Sequence, residues 1–183
     1  RIGVKASAVR ANLLLDDEVE GLISEASGYL NEPLSLLVNN ASIFEYDSID
    51  MVDEESWDRH IRSNLKAPLF LTKAFAKQAI KATKDKNGEL LASASVVNIV
   101  DQRVLKKTPE FLTYSLAKMG LWSLTQTLAQ ALAPHVRVNA IAPGPTLKGH
   151  RQTNQHFKNQ RTNTILARGS STDEIVGALN FIL

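Results

Sequence analysis

The spacing of apolar residues changes along this chain, and each change marks a predicted element. Residues 4–13, VKASAVRANL, alternate as a strand does, whereas DDEVEGLISEASGYL sets Val19, Leu22, Ile23 and Ala26 at helical spacing behind an acidic first turn. In LSLLVNNAS the period vanishes, and a short continuous apolar run between Pro33 and Asn39 predicts a strand covered on both faces. Residues 54–81 return to a helical stripe through Trp57, Ile61, Leu65, Leu69 and Phe70, which Pro68 should kink or divide. KDKNGE breaks the pattern as a turn. VVNIV, residues 96–100, is another buried-type strand, and TYSLAKMGLWSLTQTLAQALA is a helix with Leu121, Leu124, Leu128 and Leu132 on one side, stopped by Pro134. VRVNAIAPG makes a further strand ending at Pro143 and Gly144.

Strands alternating with helices of this length predict an α/β fold, a doubly wound parallel sheet with right-handed crossovers. Ligands in such sheets sit beyond the carboxyl ends of the strands, where Asn39, Asp101 and Pro143 fall. Residues 147–172 carry Lys148, Arg151, Lys158, Arg161 and Arg168 with no carboxylate, and predict a basic loop or small lid rather than a second domain. STDEIVGALNFIL then resumes an amphipathic helix, with Ser171 or Thr172 as its N-cap.

Composition narrows the class. With 183 residues and 44% hydrophobic content, one domain with a substantial core is expected. Lysine and arginine number 21 against 19 acidic residues, so overall charge does not favour nucleic acid or an anionic membrane. A nucleic-acid role for the basic segment has only Phe157 for stacking, and a lid over a small-molecule substrate is the preferred reading. There is no cysteine, and the histidines at 60, 135, 150 and 156 show no paired metal spacing. No apolar run approaches the roughly 20 residues that span a bilayer. These features fit a cytoplasmic protein.

The candidate chemistry lies at the strand ends. Tyr114 and Lys118 share a helix face; alone, the pair reads first as a helix with a surface lysine. Asp101 ends a buried-type strand, where a carboxylate needs partners to offset desolvation, although an Asx-type turn is also a sufficient reason for it. Asn39 and Asn40 either cap their strand or face a ligand.

Taken in order, NNA after a buried strand, Asn64 in the next helix, Asp101, Tyr114-x-x-x-Lys118 and NAIAPG resemble the short-chain dehydrogenase/reductase family over nearly the whole chain. The resemblance implies a Rossmann-like domain using NADP or NAD, with NADPH favoured, and a homotetramer. It implies Tyr114 as proton donor or acceptor, Lys118 on the nicotinamide ribose, and Asn64 holding a proton-relay water. Asn39 and Ala41 would line the cofactor, Pro143, Gly144 and Thr146 would face the nicotinamide, and Asn12 would lie near the adenine, where the family usually has an aspartate.

Asp101 stands where the common family pattern has serine, and NNAS replaces the usual NNAG. Both departures resemble the pteridine reductase branch, including dihydromonapterin reductases. An ionised aspartate accepts only and disfavours a neighbouring tyrosinate, so Tyr114 should act as an acid in reducing a C=N or C=O bond. A generic carbonyl reductase and a non-catalytic scaffold of the same fold are the alternatives. No Gly-rich turn of the T-G-x-x-x-G-x-G kind occurs, Arg1 corresponds to a point near the third family strand, and the final family strand is missing after Leu183. The expectation is a domain incomplete at both ends.

Overall fold

The three segments after residue 33 that were expected as strands form the sheet. In the computed structural model, which describes residues 3–149 and 152–183, β1 (Leu36–Asn39), β4 (Ala94–Ile99) and β5 (Val136–Ile141) form a parallel sheet in the order β1-β4-β5. Leu36 pairs with Ser95 and Asn39 with Asn98, while Ala94 pairs with Val136 and Ile99 with Ile141. The central strand is buried almost throughout, which is why its sequence shows no period. This is the α/β, Rossmann-like architecture that the order of elements predicts.

The helices are α1 (Asp16–Leu30), α2 (Glu54–Ile61), α3 (Ala67–Gln78), α4 (Leu112–Leu132), α5 (Asn154–Thr162) and α6 (Thr172–Ile182). One core unites Val19 and Ile23 of α1, Leu71 and Phe75 of α3, and Val96 and Val138 of the sheet, with Leu128 and Leu132 of α4 packed against it. A second cluster, Val100, Val104 and Leu121, lies at the carboxyl end of β4 and fixes the loop after it to α4.

Residues 4–13 correct the sequence reading, since they form no strand and are mostly exposed. Alternation describes a strand only where a neighbour supplies the ladder, and among the described residues β1 pairs only with β4. The long helix predicted over 54–81 is divided, but not by a proline kink. A π-helical turn, Arg62–Lys66, separates α2 from α3, and Pro68 sits in the first turn of α3, where its missing N–H costs nothing. Its carboxyl end is Gln78 rather than residue 81.

The turn at KDKNGE closes a short antiparallel hairpin, β2 (Thr83–Lys84) with β3 (Leu90–Leu91), in which Asp85 accepts from the Asn87 and Glu89 amides and Gly88 takes φ 85°. Within the basic segment the structure shows α5, where only a loop or lid was expected. Ser171, not Thr172, is the N-cap of α6, in a capping box with Glu174. Arg1, His150 and Arg151 lie outside the described residues. No helix among the described residues is long and apolar enough to cross a membrane, and no group of three metal-ligating side chains occurs among them.

Candidate active site

β4 delivers Asp101 to the carboxyl end of the sheet, and α4 brings Tyr114 and Lys118 over it. One Asp101 oxygen, Oδ1, accepts the Arg103 amide at 2.8 Å and so caps the 3-10 turn Gln102–Val104; the other, Oδ2, accepts the Tyr114 hydroxyl at 2.8 Å. Both simple readings of Asp101 therefore hold at once, an Asx-type turn and a partner for the phenol. Lys118 is not a surface lysine. It is 2% exposed, and its ammonium donates to the Ile99 carbonyl at 2.9 Å and stands 5.8 Å from the Tyr114 ring centre.

Burial and charge separate the two groups. Burial pushes the Tyr114 phenol far above its ordinary value, and the charge and hydrogen bond of Asp101 push it further, with Arg103 opposing. Burial pulls Lys118 down to about 8, with Asp101 opposing. The phenol is thus held protonated at neutral pH.

The asparagines are spent on architecture. Asn39 donates to Asn98 Oδ1 at 2.8 Å, Asn98 donates to Thr125 Oγ1 at 2.9 Å, and Thr125 donates to the Leu121 carbonyl at 2.8 Å. That chain pins β1 to β4 and β4 to α4 with every link buried. Asn64, in the π-helical turn, uses both ends of its amide on Ile43, accepting its N–H at 2.9 Å and donating to its carbonyl at 2.8 Å. Its side chain is committed to the loop after β1. Asn12 is exposed, its Oδ1 closing a turn on the Leu14 amide at 3.1 Å. Ala41 is exposed just beyond β1.

A cavity of about 790 Å³ opens over these strand ends, walled by Asp101, Pro143, Gly144 and Thr146 together with Phe44 and Gln102. Asn12, Asn39, Ala41, Asn64, Tyr114 and Lys118 do not line it, and Tyr114 reaches it through its contacts with Asp101 and Phe44. Lys106 and Arg103 also stand at its wall. The Arg103 guanidinium is held by Thr108 Oγ1 and lies over the Phe111 ring at 4.7 Å. Leu147, Gly149, Phe157, Gln160, Ile165 and Leu166 also line the cavity, and residues 145–146 meet residues 169–170 at a neck. There Arg161 donates to the carbonyls of Pro145, Gly169 and Ser170, each at 3.1 Å, and Thr146 Oγ1 lies 2.6 Å from Ser170 Oγ. Gly169 passes so close that a Cβ there would stand 1.9 Å from the Pro145 carbonyl oxygen.

Sequence reasoning missed Phe44, Arg161's grip on the neck, and a polar group of buried Asp47, His60 and Thr113 with half-buried Ser56. Polarity gave the opposite signal for the first: residues 43–47 turn Ile43, Glu45 and Asp47 inward and leave the aromatic Phe44 and Tyr46 exposed.

Residues 1–159 match the family model described as short chain dehydrogenase. The chain belongs to that family. Among curated proteins it is 30% identical over 179 residues to the probable galactose dehydrogenase GalD of Rhizobium meliloti, covering 95% of this chain and 66% of the relative. It is 31% identical to the 3-oxoacyl-[acyl-carrier-protein] reductase of Synechocystis, covering 98% and 69%. Among solved structures, the FolM alternative dihydrofolate reductase 1 of Brucella canis, complexed with NADP, is 42% identical with a TM-score of 0.83, covering 94% of this chain and 64% of that one. The chain thus spans just under two thirds of the length of the first of these relatives and of the Brucella protein.

Proposed function

We infer that this short-chain dehydrogenase chain carries the proton-donating site of an NAD(P)H-dependent reductase, and that its substrate is a pterin-like ring reduced at a C=N bond. The observation that carries the reading is the buried Tyr114 hydroxyl donating to Asp101 at 2.8 Å. A serine there would leave the phenol with a partner that both donates and accepts, whereas a carboxylate only accepts and keeps the proton on the phenol. The nicotinamide supplies the hydride. The residues fit its reactive half: Gly144 offers a surface without a side chain beside Gln102, Pro143 and Thr146 share the cavity wall, and the Lys118 ammonium is fixed one helical turn from Tyr114. The pyrophosphate would require a Gly-rich turn, and the chain contains none of the family kind.

Two findings support a flat heterocyclic substrate. The ring of Phe44 lies on the cavity wall beside Asp101, packed on Phe111 behind it with 4.4 Å between ring centres. The Brucella proteins at 42% identity are alternative dihydrofolate reductases. The sugar dehydrogenase and oxoacyl reductase among the curated relatives favour a second reading, a general carbonyl or alcohol enzyme. A scaffold without catalysis is disfavoured, because packing requires neither a buried lysine nor a tyrosine aimed at a carboxylate. In this reading residues 1–183 act as one domain, residues 147–172 are the lid, and exposed Trp57, Phe70, Leu116 and Trp122 supply homotetramer contacts.

The test is Asp101→Ser in the intact enzyme, assayed with a dihydropterin and with a small ketone. Tyr114 is faced by Asp101, Arg103, Lys118 and His60, and removing the one carboxylate among them lowers the phenol's pKa. The alkaline limb of the reductive pH profile should then move to lower pH, and the dihydropterin-to-ketone ratio of kcat/KM should fall. Unchanged profiles and ratios would return Asp101 to the role of a turn residue and favour the general carbonyl enzyme.

A further inference from the structure

α4 carries Tyr114 in its first turn, yet nothing local caps that turn. Its N-cap residue, Phe111, has a left-handed backbone (φ 57°, ψ 49°) and makes no side-chain cap. The first N–H groups of a helix have no partner within it and are ordinarily met by a serine, threonine, asparagine or aspartate at the N-cap. Here the partner comes from 66 positions earlier in the chain. Asp47 accepts the Thr113 amide at 3.3 Å, the Thr113 hydroxyl, and the Ser56 hydroxyl at 2.9 Å. Its own carbonyl accepts the Phe111 amide at 2.8 Å.

The arrangement is sealed, with Asp47 1% exposed and both Thr113 and His60 at 0%. His60 completes it. Its Nε2 accepts the Glu45 amide at 3.1 Å, so in the neutral ring Nδ1 carries the proton, 2.9 Å from the Ser56 carbonyl and 2.7 Å from Thr113 Oγ1. Burial holds the pKa of His60 below its usual value and keeps that neutral form.

This is an expensive way to cap a helix. A buried carboxylate is strongly desolvated, while helices are ordinarily capped by a short polar side chain at the N-cap itself, which the left-handed Phe111 does not supply. What the remote cap adds is a connection. The loop after β1 is gripped at Ile43 by Asn64, at Glu45 by His60 and the Arg59 guanidinium, and at Asp47 by Thr113. Between the grips stands Phe44, edge-on to Tyr114 with ring centres 4.7 Å apart. The substrate wall and the helix of the proton donor are thereby one body.

We propose that Asp47 is a positioning residue for Tyr114, fixing the height and rotation of the first turn of α4 so that the phenol meets Asp101 and the substrate together. The proposal rests on the reading of Tyr114 as proton donor. Misplacing a reacting group by about 1 Å costs about 10²-fold in rate. A cap serving only stability would change the fraction of folded protein and leave each folded molecule's turnover intact.

The experiment measures kcat per cofactor-binding site, KM and melting temperature for Asp47→Ala and Asp47→Asn in the intact enzyme, with Tyr114→Phe in parallel. Asp47→Ala should lower kcat by about 10²-fold with KM within a few-fold of wild type. Asp47→Asn, whose amide oxygen is an equally good cap acceptor, should recover kcat to within about tenfold. Should Asp47→Ala not fold, Thr113→Val removes the hydroxyl's contacts with Asp47, Ser56 and His60 while keeping the amide's bond to Asp47, and should lower kcat about tenfold at unchanged KM, a change of about 1.4 kcal/mol. Wild-type kcat per site in Asp47→Ala, or in Thr113→Val where that variant stands in for it, overturns the proposal whatever the melting temperature. A loss that asparagine does not recover also overturns it. Full activity in Tyr114→Phe would instead remove the proton-donor reading itself.

Discussion

In the floor, the packed layer that carries Phe44, Asp101 and Tyr114, side chains bond across long stretches of sequence: Asp47 to Thr113, Asn39 to Asn98, Asn64 to the backbone of Ile43. In the proposed lid they bond mostly to near neighbours, as Lys148 does with Asn154, Gln152 with Gln160 and Thr164 with Arg168. The floor is tied together by buried polar bonds that lose their value singly, since breaking one strands its partner away from water. The lid is held to the body chiefly through its neck, where one guanidinium meets backbone carbonyls. A site that must place a proton to within a fraction of an ångström belongs on the first kind of support, and a segment that adapts to a substrate belongs on the second.

The sharpest way to break this contrast is Tyr114→Phe. Loss of a positioned general acid should lower kcat by about 10²–10⁴-fold, with cofactor affinity almost unchanged because the ring and its packing remain. Steady-state rates beside a cofactor titration decide it, and retained turnover would remove Tyr114 from the chemistry.

A smaller effect, on stability, comes from Lys118. Its folded pKa of about 8 lies below the usual 10.5, so between those values the unfolded chain binds more protons and stability rises with pH. Below pH 8 the cost of the buried charge is constant, on the order of 3 kcal/mol. Denaturant titrations at several pH values should show Lys118→Met gaining stability at pH 7 and losing the rise between pH 8 and 10.5. Above pH 10 both proteins should weaken, because the folded state keeps the Tyr114 proton that the unfolded chain releases. A Lys118→Met curve parallel to the wild type would contradict the burial of that charge.

The smallest effect tests the lid. Arg161→Gln loses most of the bonds at the neck without touching the floor, and should raise KM for the reducible substrate about tenfold while kcat stays within about twofold, because the interactions lost are made equally in the ground and transition states. A matching fall in kcat would show that lid and floor are not separable.

Much of this contrast was readable in advance. β1 and β4 announced themselves as continuous or nearly continuous apolar runs, β5 as an alternating one before Pro143 and Gly144, and Tyr114 with Lys118 as neighbours on one helix face, because these signals are local. Asp101 was legible through its place at the end of β4. Asp47 and His60 were not, since their partners are far away in sequence and no period links them. The π-helical turn left no mark in the apolar stripe, which continued through Leu65. The strand expected over residues 4–13 failed for the opposite reason, a clear local pattern with no neighbour to complete it. The asparagines were assigned to the site by family resemblance, and sequence could not show that the amides of Asn39 and Asn64 hold strands and loops together.

The crossing at the neck carries a consequence for redesign. Because Gly169 lies against the Pro145 carbonyl with no room for even a methyl group, the two strands of the neck form a fixed clasp. Segments of different length and composition can be grafted between the clasp points, each inheriting the same entry and exit, with Arg161's grip supplied anew by the graft. The catalytic floor would act as a common chassis and the grafts as interchangeable substrate filters, provided glycine stays at position 169.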